Sequence, residues 1–323
     1  MIKRPTYIYP MLLGLAVLCA CAAVASPPRN SGGYCGDELV FIRVTENLPL
    51  YASYAVWGSP DGETLPVEVY GSIESYWEDA WEKDIWIHPP GANYLAYIPV
   101  KLFPDYLRWI SWITIAFSLS LVLFVCYRKL KGYYLLLCLL PLFLGVEIWL
   151  NGNIFYHDIF LCLCLTVAIF LRGTKYEKFI YIPLALMVIT KIYAIVFLIP
   201  FVIENRKTAL CSLALIPYFI QSYFVTGSVF YPLDHWLGMN SYMALGGGVI
   251  YRYWFNILKV PWFLLSILPF IVYGFYRKLW FYPALFLIGC LVIFTWGFHY
   301  QMLPLYIISP LVIVNSLRGG KNA

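Results

Sequence analysis

The feature that most restricts the fold of this chain is a succession of long apolar runs separated by small basic clusters. Past residue 108 the runs are Trp109–Tyr127, Tyr133–Leu150, Ile154–Leu171, Phe179–Ile203, Ala209–Val225, Val260–Phe275, Trp280–Trp296 and Met302–Val314. Between and after them stand Arg128/Lys129/Lys131, Arg172/Lys175/Lys178, Arg206/Lys207, Arg277/Lys278 and Arg318/Lys321. A soluble domain has no use for so many wholly apolar segments, whereas a polytopic membrane protein is built from them. Composition agrees, at 62% hydrophobic and 12% charged residues with a mean hydropathy of +0.73. The 28 tyrosines suit broad aromatic belts at the membrane interfaces. Of nine cysteines only Cys35 lies in a long polar stretch, which argues against an extracytoplasmic disulfide framework. No Cys/His cluster has zinc spacing.

Basic residues mark the cytoplasmic side of a membrane protein, and this rule fixes a topology. Lys3-Arg4 precede an apolar segment, Tyr7–Ala25, that resembles a signal peptide and is read here as an uncleaved first span. Every basic cluster faces the cytoplasm under two conditions. Tyr94–Phe103 must lie along the outer interface, since it is too short to cross. Phe179–Ile203, basic at both ends, must be a hairpin of two short helices turning near Thr190-Lys191, where Pro183, Lys191 and Pro200 interrupt the run. Ten helical passes result, with both termini inside. The expected fold is therefore an all-α polytopic membrane protein, one domain over residues 1–323. A large first extracytoplasmic loop spans residues 26–107 with interfacial helices, and a second loop spans 226–259.

The first loop holds most of the acidity, with eleven of seventeen Asp and Glu between Asp37 and Asp84. Asp37-Glu38 stand just beyond the first span. A carboxylate at that level can deprotonate an acceptor hydroxyl or, with its neighbour, hold a divalent cation such as Mg or Mn. Transfer of a sugar from a lipid phosphate needs one such base, because phosphate leaves without much acid help. His88-Pro89-Pro90 forms a rigid corner ahead of a helix, and His88 either shapes the corner or touches a phosphate or sugar. Ionisable groups within or at the rim of apolar runs are functional candidates by default: Glu147, His157, Asp158, Lys191, Arg252 and His299, with His235 in the second loop. Lys191 has two readings, a phosphate contact or a salt bridge to Asp158 or Glu147. Arg252, flanked by Tyr251, Tyr253 and Trp254, either binds a donor phosphate or anchors its segment. Gly246-Gly247-Gly248 has neither the preceding strand nor the following Lys of a nucleotide-phosphate loop, and reads as a hinge.

In this order the motifs resemble those of GT-C glycosyltransferases. Asp37-Glu38 stand in the first outer loop, His88-Pro89-Pro90 precede a short helix, and Thr190-Lys191 mark a hairpin. Thr226-Gly227-Ser228-Val229-Phe230-Tyr231-Pro232 and Tyr300-Gln301-Met302-Leu303-Pro304 complete the set. The likeness is to the protein O-mannosyltransferase and aminoarabinose-transferase superfamily and to related polyprenyl-phosphate-sugar mannosyltransferases. It implies a GT-C-like bundle, a polyprenyl- or dolichyl-phosphate-linked sugar donor, and inverting transfer on the extracytoplasmic face of the inner membrane. Asp37 takes the position of the base with Glu38 its neighbour, and Asp158, after Asn151-Gly152-Asn153, that of a luminal acid. The sequence departs from the pattern at Gly91, where relatives carry Leu after the two prolines, and lacks the Arg that often precedes the late Tyr. The acceptor is a lipid, glycan or protein hydroxyl, and nothing suggests nucleic acid. The alternative is a non-catalytic transporter or flippase of lipid-linked sugars, which calls for charged groups through the full depth of the bundle.

Overall fold

A computed structural model describes residues 41–42, 45–46, 89–130, 134–145, 155–230, 261–296 and 302–317, and among these there are helices and turns but no strand. The helices are α1 (Gly91–Leu102), α2 (Leu107–Lys129), α3 (Tyr134–Leu144), α4 (His157–Leu171), α5 (Tyr181–Val188), α6 (Ile199–Glu204), α7 (Ile216–Thr226), α8 (Pro261–Tyr276), α9 (Phe281–Trp296) and α10 (Leu303–Leu317). Two 3-10 segments, Ile192–Leu198 and Arg206–Leu215, lead into α6 and α7. The first span and most of the two loops lie outside the described residues.

Among the described residues one helical stretch, Pro104–Lys129, is long and apolar enough to cross a membrane, with a mean hydropathy of 2.1 in its best window. Its α2 portion runs about 34 Å at 1.5 Å per residue, more than the roughly 30 Å of bilayer hydrocarbon. Trp109, Ile113, Phe117 and Phe124 form an exposed apolar stripe along it, while Leu107, Ser111, Ile115, Ser118 and Val122 are buried on the other side. Further apolar helices, His157–Leu171, Trp262–Tyr276 and Leu303–Leu317 among them, are shorter. Helix α1 is shorter still, about 18 Å. It buries Ala92, Asn93, Ala96 and Val100 and exposes Tyr94, Ile98 and Leu102, an apolar outer face at four-residue spacing.

At the centre stands α10. Leu303 to Val314 are buried without a break, and the helix packs against α2, α3, α4, α8 and α9. A helix apolar on every side belongs inside a bundle. Pro310 cannot donate to the Tyr306 carbonyl four residues back, and the Ser309 hydroxyl supplies that hydrogen bond instead at 2.7 Å. The Tyr306 hydroxyl in turn donates to Leu142 O at 2.8 Å and ties α10 to α3.

The run Phe179–Ile203 is broken between α5 and the first 3-10 segment, with Lys191 in extended geometry at φ −158° and ψ 141°. Lys191 pairs with Asp158 at the start of α4, and Glu204 pairs with Arg172 just past its end. Residues 191–204 therefore run beside α4 in the same direction, and α5 returns between them. The run Ala209–Val225 divides at Leu215 into 3-10 winding and α7, where Pro217 sits in the first turn and Gly227, at φ 75°, ends the helix in left-handed geometry.

Candidate active site

Helix α4 begins with Tyr156 extended and His157-Asp158 in the first turn, where the helix dipole favours a carboxylate. Asp158 is 1% exposed. Its Oδ2 accepts a hydrogen bond from Lys191 Nζ at 2.9 Å, and its Oδ1 accepts the Tyr193 hydroxyl. Both carboxylate oxygens thus have a donor. The Lys191 ammonium, on a residue 3% exposed, also lies 4.8 Å from the Tyr156 ring centroid and 5.1 Å from that of Tyr193. A cation on aromatic faces and paired to a carboxylate is how a buried charge is compensated. Lys191 reaches Asp158 because the break after α5 is where it sits. Of the two readings of Lys191, the salt bridge to Asp158 is present in the structure.

Two further segments meet here. Phe41 packs edge-on against His157 at 4.6 Å, Tyr156 at 5.7 Å and Phe155 at 5.8 Å between ring centroids. Asn93 of α1 holds the same stretch, donating to Thr45 Oγ1 at 2.9 Å and to Phe41 O at 3.4 Å. Thr45 Oγ1 itself donates to Phe41 O at 2.7 Å. The second segment arrives through Pro89 and Pro90, both buried, to Gly91, whose N–H donates to Ile189 O at 2.8 Å, two residues before Lys191. A Cβ on Gly91 would stand 2.6 Å from Ile189 O and 2.8 Å from its carbonyl carbon. Backbone cannot yield as a side chain can, so glycine is required at this position.

The opposite end of α4 has charges of its own. The Arg172 guanidinium grips Glu204 with both arms, Nε to Oε2 at 2.6 Å and Nη2 to Oε1, and lies 3.8 Å over the Phe281 ring. Nη1 donates to the Tyr282 hydroxyl at 3.4 Å, as does Lys129 Nζ from α2. Burial works against the Arg172 charge, but the Glu204 hydrogen bond and the neighbouring Tyr282 outweigh it, so its pKa stands above the ordinary arginine value. The ends of α2, α4, α6 and the start of α9 meet here. The basic residues Arg128, Lys129, Arg206, Lys207, Arg277 and Lys278 are next to these ends in sequence.

Asp37, Glu38, His88, Glu147, His235, Arg252 and His299 lie outside the described residues. So does the acidic pair's capacity for a divalent cation. Among the described residues no group of three His, Cys, Asp or Glu side chains is placed to hold a metal. The sequence reading missed Tyr193, Asn93 and Phe41. Tyr193 carried no signal, since two residues from Lys191 is not a shared helix face. Asn93 had a weak one as the only amide side chain in an otherwise apolar stretch. The chain matches no protein-family model, no curated protein and no solved structure.

Proposed function

We propose that the chain is an integral membrane glycosyltransferase of the GT-C kind, a bundle of about ten transmembrane helices. It moves a sugar from a polyprenyl-phosphate donor to an acceptor hydroxyl on the extracytoplasmic face, with inversion. The observation that carries this reading is convergence at the start of α4. Phe41, which follows Asp37-Glu38 in the chain, Gly91, which follows His88-Pro89-Pro90, and Lys191 of Thr190-Lys191 meet there with Asp158. Asp37 precedes Phe41 by four residues in the sequence, and His88 precedes Gly91 by three. The gathering of basic residues at the other end of α4 supports a membrane orientation with that end inside.

In this reading Asp37 takes the acceptor's proton as its oxygen attacks the anomeric carbon from the side opposite the phosphate. The carbon–oxygen bond to phosphate breaks, and polyprenyl phosphate departs with the electron pair. Arg252 offsets the leaving charge and His88 touches the phosphate or the sugar, while Lys191 stays paired with buried Asp158. Asp158 is a positioning residue, because its acceptor oxygens serve Lys191 and Tyr193. A transporter calls for charges through the depth of the bundle. Between Asp158 and Arg172, α4 has no charged residue, which favours the transferase.

The test uses purified protein in detergent with a panel of polyprenyl-phosphate sugars. Wild type should transfer from one of them, and Asp37→Asn should lose roughly 10²–10⁴-fold of that rate while still binding the donor. Near-normal transfer by Asp37→Asn would overturn the assignment of the base. No transfer from any donor, together with passage of lipid-linked sugar across vesicles, would favour the transporter.

A further inference from the structure

The 3-10 segment Arg206–Leu215 and the stretch Ile195–Ile203 form the two walls of an open apolar groove of about 240 Å³, lined by Ile195, Leu198, Ile199, Val202, Ile203, Ala209 and Ser212. This is below the roughly 300–1,000 Å³ of ordinary small-molecule pockets, and suits a slim chain. The winding explains the shape. In a 3-10 helix residues i and i+3 eclipse, so Arg206, Ala209 and Ser212 stand in one row about 12 Å long. Two small side chains make the floor, and the Ser212 hydroxyl is turned away to Ala209 O at 2.7 Å, so that no unsatisfied polar group faces the groove. The row is headed by a cation. Asn205 fixes the turn that carries it, accepting from Lys207 N at 3.1 Å and donating to the Tyr181 hydroxyl at 3.2 Å. Arg206 and Lys207 are exposed and form no ion pair among the described residues, and the adjacent Glu204 is already held by Arg172. An apolar trough with Arg206 at the head of one row, and Lys207 beside it in the chain, matches an amphiphile with an anionic head.

We infer that this groove binds an anionic glycerophospholipid of the cytoplasmic leaflet, one acyl chain along Ala209 and Ser212 and the phosphate at Arg206 and Lys207. The inference rests on the membrane reading above but not on the transferase chemistry. The Arg206 head of the groove stands at the Arg172 end of the molecule, and its lining reaches back to Ile195, four residues past Lys191.

Full-length protein in detergent is titrated with phosphatidylglycerol and, separately, with phosphatidylcholine of the same chains, and bound lipid is counted by native mass spectrometry. Wild type should prefer phosphatidylglycerol. The double variant Arg206→Gln/Lys207→Gln should lose about five-fold in phosphatidylglycerol affinity for each cation and keep its phosphatidylcholine affinity. Ala209→Leu/Ser212→Leu, which fills the groove, should lose both lipids, while Lys175→Gln should lose neither. Unchanged phosphatidylglycerol preference in the charge variant would overturn the site, as would full competition by inorganic phosphate. The charge variant changes only exposed side chains and decides the question if the groove-filled protein does not fold. Wild-type protein that stays soluble without detergent would instead remove the membrane reading itself.

Discussion

Asp158 lies in the first turn of α4 and Arg172 just past its last, and each is held by an opposite charge from residues 191–204. The likeness ends there. The Asp158–Lys191 pair is sealed, with side chains 1% and 4% exposed, and is wrapped by Tyr156 and Tyr193. The Arg172–Glu204 pair is open to 23% and 32%, and its partners are residues at the ends of other helices. A sealed pair offsets a large desolvation cost with its mutual attraction, so losing one member leaves an uncompensated charge. An open pair is partly solvated and screened, and its worth comes largely from the planar stack of Arg172 on Phe281. One end of α4 thus keeps charge in a place where charge is expensive, and the other joins helix ends where it is cheap.

The largest effect that separates the two ends is expected from Lys191→Met, which should cost about 3–5 kcal/mol in a denaturant titration in micelles. A loss below about 1 kcal/mol would mean the Asp158–Lys191 pair is no more sealed than the Arg172–Glu204 pair. Combining it with Asp158→Leu should restore much of that stability, because a buried pair replaced by apolar groups is often neutral. Under the proposed transferase reading, sugar transfer should be absent in the double variant if the pair serves the reaction, and return with the fold if it serves packing alone. Gly91→Ala pushes the Ile189 backbone and should cost about 1–3 kcal/mol. Tyr193→Phe leaves Asp158 Oδ1 without that donor and should cost about 1–2 kcal/mol with no dependence on salt. Glu204→Gln should cost about 0.2–1 kcal/mol, less still at high ionic strength. A salt-independent loss there would erase the contrast between the ends.

How much of this was legible in the sequence differs along the chain. The α2, α4 and α9 helices follow the apolar runs to within a few residues, because a wholly apolar stretch bounded by cations has few other options. The turn at Lys191 was legible for a similar reason: a long run with basic residues at both ends has to double back. The partner of Lys191 was left open between Asp158 and Glu147, since pairing across 33 residues depends on how α5 returns beside α4. The 3-10 winding of Arg206–Leu215 was not legible, because its composition equally suits an α-helix. Gly91 stood out as a departure from a resemblance, and only the approach of Ile189 gives it a cause. The reading of Asp37 as the base and of Arg252 as a phosphate contact concerns residues outside those described.

The buried helix α10 has a consequence for how the molecule is made. It follows every other described helix in the chain, yet it fills the middle of their bundle. The earlier helices therefore emerge from the ribosome before the element that joins them exists. Until α10 is made, the surfaces of α2, α3, α4, α8 and α9 that it will cover lack that partner, and the finished arrangement cannot form. Assembly of the described helices is then completed only after α10 has been made. A chain cut short before residue 303 leaves these helices without the element that joins them.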